Sequence, residues 1–249
     1  MSKPQRRGKL RNPPRARTYA YVAVVVVLLV AGASGAYVYL NHSSSSSTST
    51  STSGAFVNNS CTPATTTSTT SSSTGTNGTY ALICTNLGLI EVQLVPADAP
   101  KTVANFVSLA NSGFYSDLVW HRIVPGFVIQ AGDPTTKNGG GNRSTWGQGT
   151  SGTSVPFENS TLRNTAGTIA MASTGAGVGG SSQFYINLVD NSASLDGKYA
   201  VFGQVINGMS VVNALASVAT FTSQTSPEYQ QPVMPSDAYI VSVTIQSQP

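Results

Sequence analysis

Charged residues are scarce in this chain and unevenly distributed. They make up 9% of its 249 residues, well below the roughly 25% that is usual in soluble domains. Seven of the 13 Lys and Arg residues lie before residue 18, and the first acidic residue is Glu91. Beyond residue 40, six basic and nine acidic residues leave a net charge of −3. The basic character of the whole chain therefore belongs to its N-terminal tail, and the sequence predicts no nucleic-acid partner.

Cysteine and histidine are also rare, with two residues of each. Two isolated cysteines and unpaired histidines do not make a metal site, and we expect no metal and no other cofactor. A hydrolase is disfavoured, because only His121 is available for a triad and no Gly-x-Ser-x-Gly elbow occurs in the required context. A Cys61–Cys84 disulfide would suit a compartment outside the cytoplasm. The sequence leaves this bridge open, since it does not give the separation of the two Cα atoms.

One long uncharged stretch, residues 19–40, follows the basic tail at residues 1–18. As a helix, its 22 residues would span about 33 Å, enough for the hydrocarbon core of a bilayer. The preceding positive charges predict a single-pass anchor in the cell membrane, with a cytoplasmic N-terminus and the rest of the chain outside. The alternative is a cleaved signal peptide and a secreted protein, because small residues at 31–35 would suit a peptidase.

The remainder divides into a spacer and a folded domain. Residues 41–78 are rich in Ser and Thr and predict a flexible spacer. The folded domain is predicted at residues 79–249. Its turn signals and apolar patterns predict strands at residues 80–84, 89–95, 119–124, 127–131, 168–172, 184–188, 199–205 and 238–245. Two helices are predicted, one from Pro100 to Gly113 and one at residues 209–217. This order is typical of a mainly β fold, an antiparallel barrel or sandwich with helices at its open ends.

Arg122 is unusual because it lies within an apolar and aromatic run. An unpaired buried charge is costly, so its guanidinium requires a partner or a ligand. Gln130 falls at the end of the next predicted strand, and apolar residues around the two could form a pocket for a peptide or small ligand. The residues alone leave a second interpretation open, in which Arg122 pairs with Glu91 or Asp133 in an ordinary strand pair.

Three segments together resemble the signature of the cyclophilins. The first, from His121 to Asp133, reads His-Arg-x-x-Pro-Gly-Phe-x-x-Gln-x-Gly-Asp. The others are Ser-Gln-Phe-Tyr, which ends at Tyr185, and Leu-Asp-Gly-Lys-Tyr, which ends at Tyr199. The match covers nearly all of residues 79–246 in the family's order. It implies a closed eight-stranded antiparallel barrel capped by two α-helices, and peptidyl-prolyl cis-trans isomerase activity on X-Pro bonds.

The resemblance also implies a site on the outer face of the barrel. Arg122 corresponds to the family's catalytic arginine, His121 to the neighbouring histidine, and Gln130 to a glutamine of the same groove. The implied substrate-binding positions are Phe127, Val128, Gly139, Ala172, Ser173, Thr174, Gln183, Tyr185, Leu195 and Tyr199.

Several positions depart from the family pattern. The changed residues are Val128 for a methionine, Ser173 for an asparagine, Tyr185 for a phenylalanine, Ser194 for a tryptophan and Tyr199 for a histidine. Since these positions surround the proline pocket, they put cyclosporin binding in doubt more than catalysis.

The expected function is isomerisation of X-Pro bonds in extracytoplasmic proteins, which assists their folding. The expected partners are proline-containing polypeptides and, through the N-terminal helix, the membrane; we expect a monomer. The alternative function is a membrane-tethered chaperone module that binds proline-containing peptides with weak or no isomerase activity.

Overall fold

The computed structural model describes Cys61 and residues 78–247. The predicted tail, the predicted membrane segment and most of the predicted spacer lie outside these residues. None of the helices in the described part has the length and apolar character needed to cross a bilayer.

The described residues contain eight strands and three α-helices. The strands are β1 Thr79–Thr85, β2 Gly88–Leu94, β3 Arg122–Val124, β4 Val128–Ala131, β5 Thr168–Met171, β6 Phe184–Asn187, β7 Val201–Asn207 and β8 Ile240–Gln246. The helices are α1 Pro100–Asn111, α2 Ser192–Leu195 and α3 Met209–Ala216. All eight predicted strands and both predicted helices form. The additional helix α2 is a single turn of four residues, too short for an apolar periodicity to indicate it.

The eight strands form one antiparallel sheet in the order β3-β4-β6-β5-β7-β2-β1-β8. Its two outer strands, β3 and β8, begin beside each other. The Trp120 N–H donates to the Ala238 carbonyl at 2.9 Å, and the Ile240 N–H donates to the Leu118 carbonyl at 2.8 Å. The sheet is therefore curled, and the segments that lead into its two ends are hydrogen-bonded to each other.

The inner face of the sheet carries the main core. Helix α1 contributes Phe106, whose ring lies 5.5 Å from that of Phe184 and 5.2 Å from that of Phe202. Trp120 packs edge-on against Phe184 at 5.7 Å, and all four side chains are fully buried. Burial of each large aromatic side chain contributes roughly 2–3 kcal/mol. Helix α3 adds Val212 and Leu215 to the same core.

The outer face of the sheet is also partly covered. Because successive residues of a strand point to opposite faces, Ile129 enters the main core while Val128 joins a second apolar cluster. Tyr185 and Val201 join that second cluster from β6 and β7, together with Leu195 of α2. Strands β5 and β6 are buried at every residue, since both of their faces are covered. The outer cluster provides an apolar surface at the position where the site was expected.

Two contacts between residues that are distant in sequence attach irregular segments to α1 and to the sheet. The N-cap of α1 is Ala99, which has no side-chain acceptor; instead the Glu158 carboxylate accepts from the Lys101 and Thr102 N–H groups at 3.0 and 2.8 Å. A carboxylate at the N-terminus of a helix accepts from its free N–H groups, and its negative charge interacts favourably with the helix dipole. Cys61 and Cys84 form a disulfide with a Cα–Cα separation of 5.6 Å, which links residue 61 to β1 and resolves the pairing that the sequence left open.

Candidate functional site

A single row of residues crosses the outer face of the sheet. Arg122 of β3 lies opposite Gln130 of β4, and Gln130 lies opposite Tyr185 of β6. Tyr185 in turn lies opposite Ala170 of β5, which pairs with Val201 of β7. Directly opposed residues of antiparallel strands share a face. The register therefore places a cation, an amide and an aromatic ring side by side on the covered side of the sheet, although their strands are distant in sequence.

The Arg122 side chain is half-buried and makes one side-chain hydrogen bond. Its Nε–H donates to Oε1 of Gln230 at 2.9 Å, and the centre of its guanidinium lies 5.7 Å from the centroid of the Phe127 ring. Burial lowers the pKa of Arg122, and the nearby Tyr229 and Tyr199 oppose that shift. An arginine pKa is so high that the group stays charged at neutral pH. The site therefore contains a permanent cation beside an aromatic ring.

No carboxylate in the described part of the chain pairs with Arg122. Within the described residues, the ion pairs are Arg143–Glu228 and Arg163–Asp196. The Asp133 carboxylate is buried and accepts from several other groups, among them the Gly149 N–H at 3.1 Å and the Thr135 N–H at 2.7 Å. The alternative interpretation, in which Arg122 pairs with Glu91 or Asp133, is therefore wrong. Among the described residues only Nε of the Arg122 guanidinium has a hydrogen-bond partner, so its Nη groups are available to donate to a ligand.

A chain of amides runs from the row into the long loop that follows β4. The Gln130 Nε2 donates to Oε1 of Gln183 at 2.9 Å. The Gln183 Nε2 then donates to the carbonyls of Gly147 and Gly149 at 3.0 and 2.8 Å. Each amide orients the next, so both predicted glutamines lie together at the site and the loop is fixed beside them.

The apolar part of the site is formed by the outer cluster. Val128, Tyr185 and Leu195 are buried, and Phe127 and Tyr199 are half-buried and pack against them. The Tyr185 and Tyr199 rings meet edge to face with centroids 6.0 Å apart. These five predicted substrate-binding residues are thus brought together as an apolar surface next to Arg122, suited to an uncharged ring.

The tyrosine that replaces phenylalanine in this cluster has a specific hydrogen-bond partner. The Tyr185 hydroxyl donates to Oδ1 of Asn164 at 2.8 Å, and burial raises the pKa of that hydroxyl. Asn164 is held by Asp196, whose carboxylate accepts from the Asn164 N–H at 2.8 Å. The departure from the family residue is therefore accommodated by a polar network behind the apolar surface.

The remaining predicted residues lie on loops around the row. The Ala172 N–H donates to the Gln183 carbonyl at 2.9 Å, which joins this segment to the amide chain. Ser173 is half-buried and its hydroxyl bonds locally to Gly175, whereas Thr174 is exposed. Gly139 ends a short 3-10 helix whose Asn138 N–H donates to the Asp117 carbonyl at 2.8 Å. The described hydrogen bonds of this helix thus lead to the segment before β3, and the role of Gly139 stays a prediction.

His121 is buried beneath the site, with 3% of its surface exposed. Neither ring nitrogen makes a hydrogen bond of good geometry, although Gln183 and the Val119 backbone lie near them. Burial lowers its pKa to about 4, with Asp133 acting to raise the value and Arg122 acting to lower it further. His121 is therefore neutral at physiological pH, and its catalytic role stays a prediction.

Three residues of this region are absent from the sequence-based expectations. Gln230 contacts Arg122, Asn164 contacts Tyr185, and Arg143 lies in the long loop that follows β4, beside the ring of Trp146. Gln230 and Asn164 lie in irregular segments, and Arg143 begins a 3-10 helix of three residues. Such segments show no periodicity that marks a residue as inward-facing. No group of three or more His, Cys, Asp or Glu residues in the described part of the chain could hold a metal ion.

Known proteins provide close matches to this chain. The family model for the cyclophilin type peptidyl-prolyl cis-trans isomerase/CLD matches residues 80–241. Peptidyl-prolyl cis-trans isomerase A of Dickeya dadantii is 40% identical over 152 residues, which cover 58% of this chain and 75% of that protein. A peptidyl-prolyl cis-trans isomerase of Acinetobacter baylyi is 39% identical over 173 residues, with 66% and 83% covered.

A solved structure agrees with these relatives. The crystal structure of a cyclophilin type peptidyl-prolyl cis-trans isomerase of Cryptosporidium parvum has a TM-score of 0.59 and 28% identity, and covers 69% of this chain and 99% of that one. Its structure in the presence of the dipeptide Ala-Pro gives a TM-score of 0.57. The family match spans most of the described residues, and its range includes Arg122 and Gln130. The chain belongs to the cyclophilin-type peptidyl-prolyl cis-trans isomerases.

Proposed function

We propose that the protein isomerises X-Pro bonds with Arg122 as its catalytic residue. The observation that carries this proposal is the single bond at Arg122 Nε, which leaves the Nη groups available beside the apolar surface of Phe127 and Tyr185. That surface would bury the pyrrolidine ring, and Gln130 would donate to or accept from the flanking peptide. The Ala-Pro dipeptide used with the Cryptosporidium relative is a ligand of the same chemistry.

The chemistry needs neither a nucleophile nor a cofactor. The trans form of an X-Pro bond is favoured by only about 0.5–1 kcal/mol, but rotation crosses a barrier of roughly 18–20 kcal/mol. At the twisted geometry amide resonance is lost, and the proline nitrogen gains a lone pair that accepts a hydrogen bond. A fixed guanidinium N–H at that nitrogen stabilises the twisted state more than either planar state, which lowers the barrier.

Replacement of the arginine tests this proposal. Arg122→Ala in the full chain, measured in detergent with a protease-coupled proline-peptide assay, is expected to lower kcat/KM at least ~10-fold, or about 1.4 kcal/mol. Lys101→Ala, which removes an exposed cation from α1, is the control and should leave the rate unchanged. A wild-type rate in folded Arg122→Ala would exclude the catalytic role. An inactive wild-type chain that still binds proline peptides would favour a chaperone module instead.

We also propose that the domain acts outside the membrane on exported chains and assists their folding. The support is the basic tail followed by an uncharged stretch of 22 residues, and the Ser/Thr-rich spacer beyond it. The Cys61–Cys84 disulfide suits an oxidising compartment. Protease added to intact cells should digest the domain while a cytoplasmic marker survives. Protection of the domain until the cells are lysed would exclude this location.

The finer architecture that we propose is a closed barrel with α1 and α3 at its two ends. The support is the pair of hydrogen bonds between the segments before β3 and β8, and the apolar side chains that both helices place in the core. Slow amide exchange at Trp120 and Ile240, comparable to that in β1 and β2, would support closure. Exchange as fast as in exposed loops would exclude it.

A further inference from the structure

The segment between α3 and β8 forms a strap, residues 218–234, that crosses the edge of β3. The strap is closed by its own backbone. The Gln230 N–H donates to the Phe221 carbonyl at 2.9 Å, and the Phe221 N–H donates to the Gln231 carbonyl at 3.0 Å. Nearer its base, the Val233 N–H donates to the Ala219 carbonyl at 2.8 Å. These bonds give an irregular segment a defined shape.

The strap is attached to β3 at one residue, Gln230. Its carbonyl accepts from the Ile123 N–H at 2.8 Å, and its side chain accepts from Arg122 Nε at 2.9 Å. Gln230 has a φ of +66°, a left-handed conformation that is unfavourable for a non-glycine residue. A strained backbone that persists at one residue and aims its side chain at a neighbour suggests a functional constraint.

Arg143 holds the other side of the strap against the long loop. Its Nη1 donates to the Val233 carbonyl at 3.2 Å, and its Nη2 donates to the Pro232 carbonyl. Its guanidinium lies near two aromatic rings, 4.9 Å from the centroid of Trp146 and 5.1 Å from that of Phe221. The part of the strap that carries Gln230 is therefore anchored independently of Arg122.

We propose that Gln230 is a positioning residue, which holds the Arg122 guanidinium in the plane that presents its Nη groups to the twisted prolyl amide. This inference rests on the catalytic role proposed for Arg122. A free arginine side chain samples many rotamers and loses conformational entropy when it is ordered. The bond from the strap orders it before the substrate arrives, so the donor needs no reorganisation at the transition state. Because Nε is the bonded atom, every Nη hydrogen stays available.

The matched test compares two substitutions at Gln230 that have nearly the same shape. Gln230→Met keeps the length but loses the acceptor, and should lower kcat about 5-fold with KM little changed. Gln230→Glu keeps an acceptor for Nε and should retain more of kcat than Gln230→Met. Gln93→Met, on the exposed side of β2, is the control and should match the wild type. Since both Gln230 variants share the same backbone strain, the difference between them reports the acceptor, which in Gln230→Glu is a charged carboxylate.

Two further readouts separate positioning from a general loss of structure. The Arg122 Nε–H NMR resonance should exchange slowly with solvent in the wild type and in Gln93→Met, and rapidly in Gln230→Met. In a double-mutant cycle, Gln230→Met should have no further effect on kcat in an Arg122→Ala background. Should Gln230→Met fail to fold, the comparison of Gln230→Glu with Gln230→Asn, which is too short to reach Nε, replaces it.

Each outcome bears on one of the two proposals. If Arg122→Ala lowers activity but Gln230→Met does not, or if the two effects add independently, the positioning role is overturned while the catalytic role stands. If Arg122→Ala is fully active, the catalytic role itself fails. Equal losses in Gln230→Met and Gln230→Glu, with unchanged Nε–H exchange, would also overturn the positioning role.

Discussion

The surroundings of Arg122 and of Arg143 differ in how many guanidinium hydrogens the protein uses. Arg143 donates to Gln231 through Nε at 3.3 Å and to two strap carbonyls through Nη1 and Nη2, and it packs against two aromatic rings. Arg122 bonds one amide through Nε and has one ring beside it at 5.7 Å. Each unused donor beside an apolar surface lowers stability relative to a satisfied one. The comparison shows that Arg143 serves the fold, whereas Arg122 retains unused donors at the site.

Alanine substitutions at these two arginines should lower the free energy of unfolding by clearly different amounts. Arg143→Ala is expected to lower the free energy of unfolding by about 3 kcal/mol, because it removes charge-assisted hydrogen bonds and two cation–π contacts at once. Arg122→Ala is expected to change it by less than about 1 kcal/mol, since it loses one bond and relieves the burial of a charge. Urea unfolding of both variants measures the difference. Equal losses would contradict the assignment of separate roles.

The buried histidine should make the Arg122 side of the molecule sensitive to acid. Its pKa is lowered to about 4 in the folded protein and is about 6.5 when unfolded, so the unfolded chain binds the extra proton between these values. Stability from this group is therefore complete above pH 6.5 and is lost as the pH falls toward 4. The loss from pH 6.5 to 4.5 is expected to be roughly 2 kcal/mol.

His121→Gln is the control for this acid sensitivity, because glutamine does not titrate. Thermal unfolding of the two proteins between pH 4.5 and 7.5 should show the steeper loss only in the wild type. Activity between pH 6 and 8 should not vary with this group, since His121 stays neutral throughout that range. A wild-type activity profile with a step near pH 6.5 that His121→Gln abolishes would contradict the low pKa.

Replacement by lysine should mainly lower stability at Arg143 and mainly lower activity at Arg122. Arg143→Lys keeps the charge but loses the planar fork and the ring stacking, and is expected to cost about 1–2 kcal/mol of stability. Arg122→Lys should change the free energy of unfolding by less than about 0.5 kcal/mol but lower kcat. Lysine has a single side-chain nitrogen, which cannot donate to Gln230 and to the prolyl nitrogen from one fixed plane. Paired unfolding and activity measurements on both variants test this contrast. A stability loss confined to Arg122→Lys would reverse the comparison.

Replacement of an aromatic ring beside each arginine should have the smallest effects on stability and substrate binding. Phe221→Leu removes one of two rings beside Arg143 and is expected to cost about 1 kcal/mol of stability. Phe127→Leu removes the ring beside Arg122 and part of the proline surface, and should raise KM about 3-fold, or about 0.7 kcal/mol of binding, with kcat less affected. Steady-state kinetics and urea unfolding distinguish the two. An unchanged KM in Phe127→Leu would place the proline ring elsewhere.

Local patterns predicted the strands well because their cause is local. Each strand is marked by a short apolar run bounded by turn residues, and both features lie within a few neighbouring positions. Local patterns did not predict the cap of α1, because Glu158 lies 57 residues beyond Lys101. They missed α2 for a different reason, since its single turn is too short to show a period.

The site residues also divide into those that the sequence predicted and those that it did not. The resemblance to the cyclophilins named Arg122, Gln130 and Tyr185, and the register of three strands then placed them in one row. Gly139 was named in the same way, but the hydrogen bonds of its segment lead toward Asp117, so its role stays a prediction. Gln230 was not named at all, because nothing in an irregular segment indicates that one glutamine among several meets an arginine 108 residues away.

The amino-acid sequence by itself determined the strands, the two longer helices, the scarcity of charge in the folded part and the family to which the chain belongs. These properties follow from side-chain alternation, turn residues and motifs, which are read within a few neighbouring positions. Only the tertiary structure decided that Arg122 has an amide and no carboxylate as its partner. That choice depends on the path of residues 218–234 across β3, and such a path is set by the packing of distant segments against each other.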